Sequence, residues 1–174
     1  MIGEEDSTSL RLPEERETLE RITGFVNRST PGATPKAVCG WIDLGSAESA
    51  DRYWTLDPID GTKGFLRGDQ YAVAFALVYD GQVQVGVMGC PKLQVGEDVG
   101  ILFAAARGQG SWITPLDGDP DFKQVHVSTQ NDPQKARLLR SFESGHTNIN
   151  QIDVLAQELG VGAEPVRMDS QAKY

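Results

Sequence analysis

The chain has 174 residues, of which 39% are hydrophobic and 24% charged, so it can bury a core and is not a disordered chain. Its formal net charge of −9, with no compensating stripe of Lys and Arg, argues against nucleic-acid binding. No apolar run approaches the roughly 18 residues that a membrane-spanning helix needs. The acidic residues 1–6 lack the basic and apolar parts of a secretory signal. We therefore expect a cytoplasmic protein without a membrane partner, and we expect Cys39 and Cys90 to be reduced core thiols.

Periodicity and turn residues predict the secondary structure of the first half of the chain. Pro58 lacks the N–H group that a strand donates, so we expect it to end the strand before it. Asp80-Gly81 between two apolar runs is a strong β-hairpin signal. The predicted elements, in chain order, are a helix over 13–26, a loop over 29–36, a strand over 53–57, and hairpin strands over 72–79 and 82–88.

The second half predicts further strands and one helix. Gly108-Gln109-Gly110 predicts the turn of a second hairpin, and Gly160 is expected to close the helix. The spacing of hydrophobic residues over 136–143 fits either a helix or a strand. The position of this segment between two turn signals favours the strand. The predicted elements are hairpin strands over 101–107 and 111–113, strands over 124–127 and 136–143, a helix over 149–159 and a strand over 166–170.

The most specific chemical pattern lies in residues 54–64. Asp57 and Asp60 flank the carbonyl of Ile59 at a strand end that a proline breaks, so the backbone can turn both carboxylates toward one point. On a continuous strand, side chains three residues apart would face opposite sides. An all-oxygen set of carboxylate, carbonyl and carboxylate suits Mg²⁺ better than Zn²⁺.

The residues that follow are compatible with a phosphate ligand. Gly61 permits a close approach of the backbone, and the N–H groups after it can receive a phosphate oxygen. Thr62 adds a hydroxyl group beside the predicted metal site. The alternative interpretation of this segment is an Asp-Pro turn with an Asx-type hydrogen bond and a glycine.

Several ordered motifs resemble one family. Gly-Glu-Glu-Asp at residues 3–6, followed about fifty residues later by Trp54-x-Leu-Asp-Pro-Ile-Asp-Gly-Thr62, resembles the lithium-sensitive, Mg²⁺-dependent inositol monophosphatase superfamily. Residues 63–71, Gly89-Cys90-Pro91 and the closing Asp-Ser-Gln-Ala-Lys-Tyr at 169–174 resemble its 3′(2′),5′-bisphosphate nucleotidase branch. Inositol monophosphatases typically have Thr-Asn-Phe after Asp-Gly-Thr, and a Gly-Ser pair at the last motif. The resemblance covers essentially the whole chain.

The resemblance implies an enzyme, namely a phosphoric monoester hydrolase. It would remove the 3′-phosphate of adenosine 3′,5′-bisphosphate to give AMP, with a related action on 3′-phosphoadenylyl sulfate, and so clear a by-product of sulfur assimilation. The implied fold is an α/β (α+β) layered α-β-α-β-α sandwich of the inositol monophosphatase type, incomplete at both ends. The implied domains are a metal-site domain over 1–127 and the first part of a nucleotide-contacting domain over 128–174. The implied partner is a small nucleotide bisphosphate.

The resemblance also implies roles for individual residues. Two or three Mg²⁺ ions would bind in the complete family site, and they would reverse the repulsion between its carboxylates and a phosphate. Thr62 would be catalytic, because it helps to orient and deprotonate the attacking water. The metal ligands would be Glu4, Asp57, Asp60 and the Ile59 carbonyl, and the substrate-binding residues would be Gly61, Thr62, His146, Ser170 and Lys173.

The sequence departs from the family pattern in three places. The family has an aspartate before the Gly-Glu-Glu motif and a Trp-Asp pair after the last motif, and neither occurs in these 174 residues. Ile149 stands where family members often have a second histidine. Since general-base assistance is worth about 10²–10⁴-fold, we expect this chain to turn over substrate poorly. The alternatives are an inositol monophosphatase-type phosphatase, or an incomplete fragment that only binds metal or nucleotide.

Overall fold

The computed structural model describes residues 1–142 and 149–173. None of the helices in these two ranges is both long enough and apolar enough to cross a membrane. The helices are α1 (Arg16–Val26), α2 (Pro35–Ile42), α3 (Thr62–Arg67) and α4 (Ile149–Leu159). The strands are β1 (Ile2–Gly3), β2 (Arg52–Asp60), β3 (Ala72–Tyr79), β4 (Gln82–Val95), β5 (Asp98–Ala106), β6 (Gly110–Pro115), β7 (Lys123–Val125), β8 (Leu139–Arg140) and β9 (Val166–Arg167).

The strands form a mixed sheet and a separate strand pair. The sheet has the order β1-β2-β3-β4-β5-β6-β7, in which β1 is parallel to β2, and the neighbours from β4 to β7 are antiparallel. Strands β8 and β9 form a parallel pair of their own.

The chain divides into two compact units. Unit 1 comprises Met1–Pro58 and Phe75–Gln84, and unit 2 comprises Ile59–Ala74 and Val85–Tyr174. The predicted domain boundary between residues 127 and 128 falls within unit 2 and stays a prediction.

The helices agree with the sequence in part. The prediction of a helix over 13–26 is confirmed by α1 and a short 3₁₀ turn before it. The predicted loop over 29–36 is wrong at its end, because α2 begins at Pro35. Proline is tolerated at the first helical position, and the Thr34 hydroxyl caps this helix by accepting the N–H of Ala37 at 3.2 Å. The short helix α3 was not predicted.

Strand β2 continues through Pro58 to Asp60, so the expectation that this proline ends the strand is wrong. Proline removes only its own N–H donor and still adopts an extended backbone. In unit 1, β1 is in register with Thr55 and Leu56, which precede the proline.

The hairpins at Asp80-Gly81 and at 108–110 are confirmed, with Ala106 opposite Gly110 in the second. The predicted helix over 149–159 is also confirmed. The strands predicted over 136–143 and 166–170 shorten to β8 and β9, and the strand predicted over 124–127 begins one residue earlier and ends at Val125.

Each unit has its own buried side chains. In unit 1, Val38, Cys39 and Val78 are buried, and Trp54 stacks on Phe75 with ring centroids 4.7 Å apart. The buried apolar residues of unit 2 are Ala72, Cys90 and Ile101.

A close backbone approach in unit 1 fixes the position of β1. A Cβ atom on Gly45 would lie 3.0 Å from the Cα of Gly3, so there is no space for a side chain at this contact. Ile2 forms a bridge with Ser46 on the same segment. The residue after β1 is Glu4, which donates its backbone N–H to the carbonyl of Leu56 at 3.3 Å. The approach of two glycines therefore holds the Glu4 backbone beside β2.

We predict that Gly45→Ala destabilises the chain by about 1–3 kcal/mol, because the methyl group must push β1 away from the turn after α2. The matched control is Gly40→Ala at an exposed position of α2, where a Cβ atom meets nothing within 4 Å. The control should stabilise the chain by about 0.5–1 kcal/mol, since alanine loses less conformational entropy in a helix. Urea unfolding measures both changes, and equal effects of the two substitutions would contradict the close contact.

Candidate active site

In unit 1, Glu4 and Asp57 are the residues that directly follow the last paired positions of the parallel strands β1 and β2. Gly3 is paired with Leu56, and the backbone N–H of Glu4 bonds to Leu56, so the next residue on each chain segment is a carboxylate. Successive positions in register on parallel strands present their side chains to the same side. The structure therefore places these two predicted metal ligands at neighbouring positions.

The segment that follows Glu4 is anchored by a polar cluster. Ser7 is fully buried and donates its backbone N–H to Asp43 Oδ1 at 3.0 Å. Arg11 donates from Nε to the Ser7 hydroxyl at 2.8 Å and from Nη2 to Asp43 Oδ2 at 2.5 Å. The hydrogen bonds from Ser7, followed by those from Arg11, lower the pKa of the Asp43 carboxyl below its ordinary value. Asp43 therefore remains an ionised anchor for this segment at neutral pH.

In unit 2, Ile59, Gly61 and Thr62 form a tight turn into α3. Gly61 precedes the helix with φ of +83°, a left-handed conformation that favours glycine. The Thr62 hydroxyl donates to the carbonyl of Ile59 at 3.1 Å. Because a hydroxyl has one proton and two lone pairs, this bond leaves the exposed oxygen able to accept a hydrogen bond.

The segment 169–173 packs against this turn. The backbone N–H of Gln171 donates to Asp60 Oδ2, and a Cβ atom on Gly61 would lie 3.1 Å from the Cβ of Ser170. Ser170 is fully buried, and its hydroxyl accepts the Ala172 N–H at 3.3 Å, so this hydroxyl does not face solvent. Lys173 belongs to a short 3₁₀ turn and donates its backbone N–H to Ser170. Ser170, one of the predicted substrate-binding residues, thus lies beside the predicted phosphate turn.

An ion pair that sequence reasoning did not assign supports this packing. Arg67 at the end of α3 donates from Nη2 to Asp169 Oδ2, and the backbone N–H of Phe142 donates to Asp169 Oδ1 at 2.8 Å. Burial raises the pKa of the Asp169 carboxyl, but the hydrogen bonds from Arg67 and Phe142 outweigh it and bring the pKa below its ordinary value. The motifs contain both charged residues, but 102 positions separate them in the sequence, so no local pattern relates them.

The described residues supply the oxygen ligands that Mg²⁺ prefers, although the structure does not gather them into a three-ligand group. Carboxylates and a backbone carbonyl match the chemistry of this ion. Within residues 1–142 and 149–173, no three His, Cys, Asp or Glu side chains form a group that could hold a metal. Glu4 and Asp57 belong to unit 1, whereas Ile59 and Asp60 belong to unit 2. The shared metal site stays a prediction, and His146 lies outside the described residues.

Cys90 is a buried thiol near the Asp60 carboxylate. It has no exposed surface, and burial, followed by the charge of Asp60, raises its pKa to about 11. The thiolate is the reactive form of cysteine, so this thiol is inert at neutral pH.

The fold and these motifs identify the family. The family model of the inositol monophosphatase family matches residues 23–174. The chain belongs to the inositol monophosphatase family, and the resemblance that its motifs predict is confirmed.

The curated relatives of this chain include several 3′(2′),5′-bisphosphate nucleotidases. The chain is 41% identical to 3′(2′),5′-bisphosphate nucleotidase 1 of Arabidopsis thaliana over 196 residues, which cover 100% of the chain and 56% of the relative. It is 35% identical to 3′(2′),5′-bisphosphate nucleotidase of Schizosaccharomyces pombe over 193 residues, which cover 100% of the chain and 54% of the relative. The chain spans about half the length of the curated relatives it matches.

Solved structures confirm the predicted fold class. The inositol monophosphatase from Anabaena superposes with a TM-score of 0.54 at 20% identity, over 88% of this chain and 60% of that protein. Mycobacterium tuberculosis SuhB superposes with a TM-score of 0.52 at 21% identity, over 89% of this chain and 56% of that protein. The chain therefore has the layered α+β architecture of this family.

We predict that the Cys90 thiol makes stability fall as the pH rises from about 9 to 11. The folded state holds this proton more tightly than the unfolded state, so its contribution is full below the ordinary pKa of 9.0 and disappears through the folded pKa of about 11. The difference corresponds to about 3 kcal/mol. Urea unfolding of wild type and Cys90→Ala between pH 7 and 11 measures it, and an equal decline in both chains would show that another group is responsible.

Proposed function

We propose that this chain carries the metal and phosphate part of a Mg²⁺-dependent phosphatase that removes the 3′-phosphate of adenosine 3′,5′-bisphosphate. The observation that carries the proposal is the packing of residues 169–171 on the turn Asp60-Gly61-Thr62 in unit 2. Residues 63–71, which follow this turn, and residues 169–174 resemble the nucleotidase branch at the positions where inositol monophosphatases differ. The names of the relatives at 35–41% identity support the same substrate class.

The proposed metal ligands are Glu4, Asp57, Asp60 and the carbonyl of Ile59. When bound, Mg²⁺ ions neutralise the phosphate and lower the pKa of a bound water. Asp60 accepts the Gln171 N–H on one carboxylate oxygen, so its other oxygen is the natural metal ligand. Asp60 would thus bind the metal with one carboxylate oxygen while the other oxygen holds the segment 169–173.

Thr62 is the proposed orienting group for the attacking water. Its hydroxyl donates to the Ile59 carbonyl, and its outward lone pairs can then accept a hydrogen bond from a water molecule. Because the donated bond fixes the rotation of the hydroxyl, the acceptor direction is fixed before substrate binds. A fixed acceptor aligns the water for in-line attack on the phosphorus atom.

The segment 169–173 is the proposed source of selectivity for a nucleotide. Lys173 is the positively charged residue of this segment and the proposed partner of a phosphate group. The Ser170 side chain is buried. We therefore expect Ser170 to contact the nucleotide through the backbone of its own segment. A sulfated nucleotide with the same 3′-phosphate fits the same arrangement, and we assign the chain to removal of such by-products of sulfur assimilation in the cytoplasm.

The function is tested in a chimera in which flanking segments of the Arabidopsis relative extend this chain at both ends. We expect this protein to release phosphate from adenosine 3′,5′-bisphosphate far faster than from inositol 1-phosphate, and to lose the activity in EDTA until Mg²⁺ is restored. The 174-residue chain alone should be much slower than the chimera. A preference for inositol 1-phosphate would assign the chain to the monophosphatase group, and an inactive chimera would favour a fragment that only binds metal or nucleotide.

In the same chimera, Thr62→Val should lower kcat for adenosine 3′,5′-bisphosphate by about 10²-fold or more, because the water loses its oriented acceptor. Thr62→Ser keeps the hydroxyl and should retain most of the activity. The control Thr30→Val removes an exposed hydroxyl from the loop after α1 and should leave kcat unaltered. A kcat for Thr62→Val within about twofold of wild type would remove Thr62 from the mechanism.

A further inference from the structure

One face of α3 is built for the close approach of a chain segment. Gly61, Gly64 and Arg67 are spaced three residues apart, so they lie along one side of this short helix. A Cβ atom on Gly61 would meet Ser170 at 3.1 Å. A Cβ atom on Gly64 would lie 2.5 Å from the carbonyl oxygen of Gln70 and at an ordinary contact distance of 3.8 Å from the Cβ of Asp169. The absence of a side chain on Gly61 therefore lets the backbone of Ser170 lie directly on the start of the helix, and Asp169 packs beside Gly64.

Arg67 ends this glycine face with a forked contact. Its Nε donates to Asp69 Oδ2 at 2.9 Å, and its Nη2 donates to Asp169 Oδ2. The guanidinium carbon also lies 5.1 Å from the centre of the Phe142 ring. A planar guanidinium can make these contacts together, whereas the single ammonium of lysine has no equivalent fork.

The two carboxylates of the fork differ in their environment. The Asp169 side chain is 8% exposed, whereas the Asp69 side chain is 47% exposed. Ion pairs between exposed groups contribute little, but a buried carboxylate that loses its partner is strongly unfavourable. Asp169 also accepts the Phe142 N–H with its other oxygen, so it is tied to two parts of unit 2.

We infer that Arg67 is a positioning residue, which holds Asp169 and thereby keeps residues 169–173 in register on α3. In that register the backbone N–H of Gln171 bonds to Asp60, and Ser170 lies against Gly61. The clamp defined by Arg67, Asp169 and Phe142 thus couples the nucleotide segment to the phosphate turn. The effect of the clamp on substrate selectivity rests on the proposed function, whereas its effect on the position of residues 169–173 does not.

The first test measures amide hydrogen exchange in the 174-residue chain. Arg67→Met and Asp169→Asn should each speed exchange of the Gln171 amide by at least about tenfold, because the segment opens locally. The Val87 amide, within the pairing of β4 with β5, should keep its wild-type rate. The matched control is Asp69→Asn, which removes the exposed arm of the fork and should leave Gln171 protected.

The second test measures kcat/KM in the chimera for adenosine 3′,5′-bisphosphate and for phenyl phosphate, which lacks a nucleoside. Arg67→Met should lower the ratio of the two values by about tenfold or more, mainly through KM for the nucleotide, because the segment no longer holds its position. Arg67→Lys should restore the ratio only in part, since it provides charge without the fork.

The outcomes separate the two proposals. Unchanged Gln171 exchange in both folded variants would overturn the clamp, and so would equal acceleration at Val87, which reports global destabilisation. If the wild-type chimera does not hydrolyse the bisphosphate, the proposed function fails, while the exchange result still decides whether Arg67 holds the segment. Faster Gln171 exchange with an unaltered substrate ratio would overturn the role in selectivity.

Discussion

The contact between residues 169–171 and α3 is the constraint on which the unit 2 part of the candidate site depends. Asp60, Gly61 and Thr62 are local neighbours, but their environment is supplied by a segment more than one hundred residues later. The absence of a side chain on Gly61 permits the approach, and the Asp60 carboxylate receives an N–H from the incoming backbone. A carboxylate with one oxygen engaged by the backbone has a defined orientation. The bond to Gln171 therefore also fixes the direction of the remaining oxygen.

Unit 1 also contains a close backbone contact that glycine makes possible. The glycine pair Gly3 and Gly45 allows β1 to lie against the turn after α2, and the parallel register with β2 then orders Glu4 and Asp57. Asp43 holds the following segment through Ser7 and Arg11. In both units, close backbone contact is combined with a carboxylate that accepts backbone N–H groups. Such contacts place charged groups precisely without burying a large apolar surface.

Local patterns predicted the elements whose structure is decided locally. The helix over 13–26 follows from its periodicity, and the hairpin at Asp80-Gly81 follows from turn chemistry. Proline was less informative, because Pro35 starts a helix while Pro58 lies within a strand. The same residue type is compatible with both, and the neighbouring cap or the strand register decides between them.

The candidate site was predictable as a set of residues, but its internal contacts were not. The motifs indicate Asp57, Asp60 and Thr62 through their chemistry and through resemblance to the family. No pattern indicates that Gln171 bonds to Asp60 or that Arg67 pairs with Asp169, because these contacts depend on how distant segments pack. Likewise, the burial of Ser170 is visible only in the folded chain.

The contacting residues of unit 2 lie far apart in the sequence, and this separation determines when during synthesis their contacts can form. During synthesis, Asp60 leaves the ribosome 111 residues before Gln171, and Arg67 leaves 102 residues before Asp169. Over this interval, which takes roughly 5–20 s at about 5–20 residues per second, the glycine face of α3 has no segment to cover it. During this time the oxygen that later accepts the Gln171 N–H is hydrated, and Asp169 is not yet available to Arg67. The orientation of the Asp60 carboxylate is thus set only after residues 169–171 have been synthesised and have packed on α3.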